Sequence, residues 1–396
     1  MFPKLRFKEF DGDLTESKLV ELTSWASGGT PAKDVPEYWG DGIPLISGAS
    51  MHTNQLYESD VKITKLGLQK GSKLALKDSI LILVRGSMLF NKIPMGITLG
   101  DVAFNQDVKC IRPKQQLAPL FLFQWLHAKE NTIQNKVTAT GIGAGKLDTA
   151  DLQNLKLYKP SLEEQTKIAT FLSAVDEKIS QLTQKHQLLR EYKQGMMQKL
   201  FSQQVRFKAD DKSEFGEWEE KELKDIAEIN PKSKKLPESF IYIDLESVEK
   251  GKLLLQKNIE LQDAPSRAQR LLAKGDVLFQ MVRPYQQNNY YFNLSGEYVA
   301  STGYAQIRTK LDSKFIYYAL HEKTFLDEVM NRCTGTSYPA INSSDLSSIE
   351  ILIPCLEEQT KIANFLSAID QKIEVVAQQI EQAKTWKKGL LKQMFI

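Results

Sequence analysis

The sequence is poor in the residues that build disulfides and metal sites. Its 396 residues include three cysteines and four histidines. Cys110, Cys333 and Cys355 lie far apart and form no CxxC pair, which argues against a disulfide framework and against a zinc site. So few, scattered cysteines suit a reducing compartment. The sequence therefore predicts no metal site.

Long apolar runs are missing as well. The opening "MFPKLRFKEFDGDL" has no apolar segment of the secretory type, and the run "ILILV" at 80–84 is as long as a strand rather than a membrane span. Apolar residues at 42% and charged residues at 26% are typical of globular proteins, and the length suffices for two domains. We expect a cytoplasmic protein with no membrane contact.

Neither sign of charge dominates the chain. The formal net charge is +3. Residues 1–159 carry 20 basic and 16 acidic side chains, whereas residues 206–353 carry 20 and 23. Composition alone thus does not indicate a nucleic-acid-binding protein, and a polyanion would have to be held by local patches or with the help of a partner.

Motifs of catalysis and of cofactor binding are absent too. We find no NPPY-like methyltransferase loop, no strand followed by GxGxxG, no HExxH and no nucleophile elbow. The stretch "TGIGAGKL" at 140–147 is one residue short of a Walker loop and has Leu147 in place of the required hydroxyl. We interpret it as a loop that feeds the following helix, with phosphate contact by its amides as the alternative. The sequence predicts no catalytic residue and no cofactor bound to this chain.

The sequence does contain an internal repeat that runs its whole length. "LEEQTKIA" occurs at 162–169 and again at 356–363, and "FLSA" follows one residue later each time. The match extends outward, because "LFLFQWLHAK" aligns with "KFIYYALHEK" and "LRFK" with "VRFK". A duplication of this kind decides the fold. It predicts four segments, namely a variable block at 1–159, a helix at 160–204, a variable block at 205–353 and a helix at 354–396.

Both helices carry the pattern of a coiled coil. Apolar residues recur at alternating steps of four and three, which makes a seam for another helix. About 36 helical residues would span roughly 50–55 Å. Antiparallel pairing of the two helices is favoured. In a parallel pair, the second block would have to lead the chain back along the whole length of the first helix before the second helix could start. The predicted seam residues are Ile168, Leu172, Val175, Ile179 and Leu182, and Ile362, Leu366, Ile369, Ile373, Val376 and Ile380.

Each block is predicted to be α+β, with short apolar strands and one helix near 118–136 or 313–331. The loops between strands are rich in Asn, Gln, Ser and Tyr, which can bond base edges or phosphates. Arg85 and Arg283 stand out because each closes an apolar strand at an equivalent position. The candidate DNA-contacting residues are Thr30, Lys33, Arg85, Ser87, Asn91, Lys92, Asn105 and Gln106, and Arg283, Tyr285, Gln286, Gln287, Asn288, Asn289, Ser301 and Thr302.

Two diverged blocks, each followed by a helix that opens with "P-x-LEEQTKIAxFLSAxDxKI", resemble the specificity subunit of type I restriction-modification systems. The resemblance implies two α+β target recognition domains, each reading half of a split sequence in double-stranded DNA, and a long antiparallel two-helix coiled coil between them. It also implies docking of two modification subunits, which bind S-adenosylmethionine, and allows restriction subunits that use ATP and Mg²⁺. No catalysis would take place in this chain.

Other functions remain open at this point. A related recognition subunit could serve a type IIB-like partner that fuses nuclease and methyltransferase. A coiled-coil scaffold that binds only protein would show no dependence on DNA. A self-contained enzyme is disfavoured, because no cofactor motif is found.

Overall fold

The first half of the chain starts with short strands and ends in a long helix. The computed structural model describes residues 3–141, 143–233 and 235–395. The strands are β1 (Thr15–Lys18), β2 (Thr23–Ser27), β3 (Trp39–Ile46), β4 (Gln55–Leu56), β5 (Lys62–Ile63), β6 (Lys73–Ala75), β7 (Ile80–Leu83), β8 (Met95–Thr98), β9 (Val102–Phe104), β10 (Val108–Pro113), β11 (Thr138–Ala139), β12 (Gly145–Lys146) and β13 (Lys156–Lys159). The helices are α1 (Leu19–Leu22), α2 (Lys65–Gly71), α3 (Pro119–Ala128), α4 (Glu130–Gln134), α5 (Thr149–Gln153) and α6 (Leu162–Phe201), with 3-10 turns at Pro36–Tyr38, Gly48–Ser50 and Ser87–Phe90.

The second half repeats this plan. Its strands are β14 (Glu219–Glu222), β15 (Ala227–Ile229), β16 (Ser239–Ile243), β17 (Val248–Glu249), β18 (Lys252–Leu253), β19 (Lys257–Glu260), β20 (Ala268–Leu271), β21 (Val277–Gln280), β22 (Tyr290–Tyr291), β23 (Tyr298–Ser301), β24 (Tyr304–Thr309) and β25 (Glu350–Ile353). Its helices are α7 (Leu223–Ile226), α8 (Ser313–Ala319), α9 (Lys323–Asn331), α10 (Ser343–Ser347) and α11 (Leu356–Met394), with 3-10 turns at Leu261–Asp263 and Pro284–Gln286.

The sheets of the two halves share one topology, except that the first half has the additional edge strand β4. One sheet runs β2-β10-β7-β8-β4 in the first half and β15-β24-β21-β22 in the second. Another runs β5-β3-β9-β6 and β19-β16-β23-β20, and in both its central pair is parallel while its outer pairs are antiparallel. A third joins β1 to β13 and β14 to β25. The predicted α+β class and the predicted repeat are confirmed.

The prediction of a single helix in each block is wrong, because each block has two shorter helices there. α3 ends before Lys129, and α8 and α9 are separated by residues 320–322. In the second half, Glu322 has an extended backbone and its carboxylate accepts from the N–H groups of Thr324 and Phe325 at 2.6 and 3.3 Å. An N-cap of this kind needs a non-helical backbone at the capping residue, so the helix has to start again.

The described residues form two compact units. Unit 1 lies within 1–183 and 378–396, and unit 2 lies within 184–377. Each unit therefore combines one α+β block with part of α6 and part of α11. None of the helices in the described ranges is both long and apolar enough to cross a membrane.

The parts of α6 and α11 within each unit run antiparallel. In unit 1, Ile168 near the start of α6 shares a hydrophobic core with Met394 at the end of α11. In unit 2, Leu200 at the end of α6 shares a core with Ile362 near the start of α11. The predicted antiparallel packing of the long helices is confirmed. The helices of 40 and 39 residues exceed the predicted 36.

The residues of the predicted seam are buried, apart from Ile179 and Ile373, which are half-buried. Toward the start of each long helix, the seam packs against its own block as well as against the other helix. Ile168 and Leu172 contact the core built from the strands of the first block, and Ile362 and Leu366 do the same in the second. The 4-3 spacing thus predicted which residues are buried or half-buried. The block covers them together with the other long helix.

The repeated "LEEQ" at the start of each long helix holds the block to which it belongs. Glu164 is buried and pairs with Arg6, whose Nε and a terminal nitrogen both lie 2.7 Å from the carboxylate. The next residue, Gln165, accepts from the N–H of Ala118 and donates to the carbonyl of Pro160, both at 2.9 Å. These contacts explain part of the identity between the two copies, because buried polar groups require their partners.

The second copy makes the same contacts. Glu358 is fully buried, pairs with Arg206 at 2.7 Å and also accepts from Nε1 of Trp218 at 3.1 Å. Gln359 accepts from the N–H of Asp312 and donates to the carbonyl of Pro354. The segment at the start of each block is thereby attached to the first turn of the long helix that follows the block.

A second carboxylate in each unit joins the block to both long helices. In unit 1, Asp176 of α6 accepts from Nε2 of Gln124 at 2.8 Å and from Nζ of Lys387 of α11 at 2.6 Å. In unit 2, Asp370 accepts from the hydroxyl of Tyr318 at 2.7 Å and pairs with Lys193 at 2.6 Å. Burial, and then the nearby Asp370 charge, raise the pKa of Tyr318, so its hydroxyl stays protonated and donates.

Arg206→Ala is expected to lower the free energy of unfolding by about 3 kcal/mol, because it leaves the carboxylate of Glu358 buried without its cation. Lys221→Ala is the matched control, since its pair with Glu219 is largely exposed and should contribute much less to stability. Urea unfolding followed by circular dichroism measures both. Equal effects of the two substitutions would contradict the structural role of the buried pair.

Candidate nucleic-acid interface

In unit 1, the candidate residues follow the ends of β2, β7 and β9, and hydrogen bonds draw these ends together. The hydroxyl of Thr30 donates to Oε1 of Gln106 at 2.7 Å. The N–H of Val84 donates to the carbonyl of Asp107 at 2.8 Å, next to Arg85 along the chain. Segments far apart in sequence thus meet at one end of the block.

Most of these side chains are open to solvent. Asn105 is half-buried and its Oδ1 accepts from the N–H of Asp107 at 3.1 Å, which shapes the loop after β9. Thr30 is half-buried as well. The exposed candidates are Lys33, Arg85, Ser87, Asn91, Lys92 and Gln106, and four of them lie in or next to the 3-10 turn that follows β7. An exposed group of cations and amides suits contact with a phosphate backbone and base edges.

The stretch 140–147 was predicted to feed the long helix, and the structure places it elsewhere. β11 and β12 form a small hairpin that lies against the end of β7. Ile142, which falls within the stretch, is outside the described residues. The N–H of Gly86 donates to the carbonyl of Gly145 at 2.9 Å, and the N–H of Leu147 donates to the carbonyl of Val84 at 2.9 Å. The hairpin therefore lies beside Arg85, among the candidate residues.

In unit 2, buried polar side chains hold the loop that follows β21. Asn289 is buried, its Oδ1 accepts from the N–H of Gln280 at 2.8 Å, and its Nδ2 lies 3.4 Å from Nε2 of His321. Nδ1 of His321 lies 2.7 Å from the carbonyl of Tyr317. Burial lowers the pKa of His321 to about 4, so near pH 7 the neutral ring donates from Nδ1 and accepts at Nε2.

The other candidates in this loop divide into bonded and open side chains. Oδ1 of Asn288 accepts from the N–H of Lys250 at 2.9 Å, and Gln287 donates weakly to the carbonyl of His321 at 3.5 Å. Gln286 is exposed and accepts from Gln280, and Tyr285 is exposed over half of its surface. The loop thus presents Tyr285 and Gln286 outward.

The two candidates at the end of β23 are buried or half-buried. Ser301 is buried, and its hydroxyl accepts from the N–H of Gly303 at 3.1 Å. Thr302 is half-buried, and its N–H donates to the carbonyl of Arg267 at 2.9 Å. In this structure Ser301, like Asn289, faces protein rather than solvent.

Arg283 and Arg85 do not occupy equivalent positions. The N–H of Arg283 donates to the carbonyl of Pro339 at 2.7 Å, which is the bond that Gly86 makes to Gly145 in unit 1. The isolated bridges agree. Lys146 pairs with Arg85, whereas Ala340, the counterpart of Lys146 in the repeat, pairs with Val282. The two arginines are offset by one residue, and the alignment of the repeat gave no sign of it because both halves read "VR".

No group of three or more metal-binding side chains occurs in the part of the chain that the structure describes. The candidate residues are amides, hydroxyls, cations and one tyrosine. The chemistry that this arrangement supports is binding.

Comparisons with known proteins agree with the fold. The family model described as "Type I restriction modification DNA specificity domain" matches residues 12–190 and 216–385. The chain is 27% identical over 409 residues to the type I restriction enzyme MjaVIII specificity subunit of Methanocaldococcus jannaschii, covering 97% of this chain and 94% of that protein. It is 28% identical over 418 residues to the putative MjaX specificity subunit of the same organism, covering 98% and 94%.

A solved structure shows the same fold. The S subunit of a type I restriction-modification system from M. genitalium superposes with a TM-score of 0.63 at 18% identity, covering 100% of this chain and 99% of that one. Since the family model matches both halves, the chain belongs to the type I restriction-modification DNA specificity family, and it is a DNA-binding specificity subunit that has no catalytic site of its own.

Proposed function

We propose that this chain reads a bipartite target in double-stranded DNA, one half with each block, and that its long helices space the blocks and dock two modification subunits. In this proposal residues 1–159 and 205–353 are the target recognition domains, and residues 160–204 and 354–396 are the spacer helices. The observation that carries it is the repetition of one block topology with different loops. A repeated fold offers two readers, and different loops give them different targets.

Base reading is assigned to the exposed loops at the strand ends. Arg85 in unit 1 and Arg283 in unit 2 are the candidates for bidentate contact with guanine, and exposed amides such as Gln106 and Gln286 for contact with adenine. The buried Asn289 and Ser301 support these loops instead of contacting bases. Helices of 40 and 39 residues are long enough for the roughly 34 Å of one DNA turn, which would place two half-sites on the same face of the duplex.

Docking of a partner is assigned to a surface that recurs on the two long helices. Trp386 of α11 and Tyr192 of α6 occupy equivalent positions in the repeat, and their exposed fractions are 54% and 51%. Three residues further, on the same helix face, are Gly389 and Gly195, where an added Cβ would meet nothing within 4 Å. Exposed aromatics beside open backbone suit a protein partner. Two equivalent surfaces suit two copies of it.

The remaining partners follow from the family. S-adenosylmethionine would be bound by the modification subunits, and ATP and Mg²⁺ by restriction subunits where these join. Substrate and partners place the assembly in the cytoplasm. The near-balanced charge of the chain fits this division, because partners that close around the duplex can neutralise phosphates while the specificity subunit contacts bases.

Arg85→Ala is expected to weaken binding at the first half-site only, and Arg283→Ala at the second only, each by about 1–3 kcal/mol. The target is first obtained by mapping methylated adenines in cells with and without the gene. Gel shifts with the modification subunit present then use duplexes in which one half-site is changed at a time, with Lys221→Ala as the control. Equal losses at both half-sites would refute the assignment, and indifference to sequence would refute the proposed function.

Trp386→Ala and Tyr192→Ala are each expected to reduce the number of bound modification subunits from two to one, and the double variant to abolish binding, because each removes the aromatic anchor of one surface. Native mass spectrometry of the purified complex counts the subunits. Leu255→Ala is the matched control, since that side chain is 55% exposed but lies on neither long helix. Two bound subunits in the double variant would rule out this docking surface.

A further inference from the structure

Arg283 is held in an unusual backbone conformation by the loop at 334–341. Its φ and ψ are 55° and 53°, a left-handed conformation that residues with a Cβ rarely adopt. Besides the bond from its N–H to Pro339, the N–H of Ile341 donates to the carbonyl of Met281 at 3.1 Å. The loop is closed on itself by two bonds between Thr334 and Ala340, at 2.9 and 3.0 Å. Such a conformation persists only where the surroundings fix it, and it recurs at binding sites.

The guanidinium of Arg283 lies over an aromatic ring, and its Nε makes no hydrogen bond to the described residues. The centre of its guanidinium lies 4.2 Å from the centroid of the Tyr338 ring. Its Nε is buried and has no hydrogen-bond partner among the described residues. Tyr338 is 64% exposed, so it contributes little to the core of the block. A guanidinium that lies over a ring and has no acceptor among the described residues keeps its terminal nitrogens for an acceptor from elsewhere.

We propose that Tyr338 is a positioning residue for DNA recognition. Its ring holds the guanidinium plane of Arg283 so that the terminal nitrogens meet O6 and N7 of a guanine in the major groove of the second half-site. This inference rests on the proposed function of the second block as a DNA reader, and it adds a residue that the repeated sequence did not single out. The ring restricts the rotamers of Arg283 before DNA arrives, which reduces the entropy lost on binding.

The first block has no such arrangement. The residue at the position of Arg283 is Gly86, and the residue at the position of Tyr338 is Ala144. Arg85 is exposed and has no aromatic ring stacked on it in the described part of the chain. Substitution of Tyr338 should therefore affect only the second half-site, which makes the first half-site an internal reference.

The test uses the complex of the full chain with its modification subunit and duplexes that carry both half-sites. Tyr338→Ala is expected to weaken binding to the intact target roughly two- to fivefold, the range of an exposed cation-π contact. It should also reduce discrimination against changes in the second half-site while discrimination at the first stays the same. Tyr338→Phe keeps the ring and should behave as the parent protein. Tyr57→Ala is the control for loss of an equally exposed tyrosine.

A double variant separates positioning from direct contact. If Tyr338 acts through Arg283, Arg283→Ala and Arg283→Ala/Tyr338→Ala bind equally, because the ring has nothing left to position. Additive losses, or a Tyr338→Phe variant as weak as Tyr338→Ala, would overturn this role while leaving the proposed function intact. A parent complex that ignores the sequence of the second half-site would overturn both. The thermal midpoint of each variant confirms that the fold is retained.

Discussion

Asp176 and Asp370 set the geometry on which each unit depends. Each carboxylate lies on one long helix, uses one oxygen for the lysine of the other long helix and the other oxygen for a side chain of the block. A single group therefore fixes three elements against one another. Apolar burial along the seam contributes far more free energy, about 1.5–3 kcal/mol for each fully buried Leu or Ile. Apolar contacts, however, have little directional preference, whereas two hydrogen bonds to one carboxylate define an orientation.

The identity of the two helix openings has a cause inside the chain itself. Glu164 and Gln165, like their copies Glu358 and Gln359, are buried and bonded to the block to which they belong. A substitution at any of them would leave a buried polar partner unsatisfied, so these positions are constrained without any partner protein. Under the proposed docking, a partner contacts the exposed positions later in the helices. Around Tyr192 the two copies are less alike, which fits a contact made by shape and aromatic surface rather than by one fixed residue.

The sequence allowed the architecture to be predicted because the repeat and the 4-3 spacing are local or periodic signals. Heptads identify buried residues, and the strands of the blocks are short apolar runs between polar loops. Contacts between segments that lie far apart in the sequence produce no local or periodic signal. Sequence order predicts that the stretch at 140–147 leads to the long helix. It is instead part of a hairpin that backbone hydrogen bonds attach to the end of β7. The one-residue offset between Arg85 and Arg283 was equally hidden, because it is visible only in the bonds made by Gly86 and Arg283.

The candidate residues show why residue type alone separates scaffold from contact surface so poorly. Asparagine and glutamine suit base edges, but they suit buried backbone groups equally well, and in the second block Asn289 and Gln280 satisfy the loop itself. A neutral His321 completes that support, since a charged ring would be costly to bury there. Polar groups that are already paired keep the loop rigid, and rigidity lets the few unpaired groups select a sequence. Under the proposed function, the surface that contacts DNA is therefore smaller than the polar loop that carries it, and the buried, paired side chains support its specificity without contacting DNA.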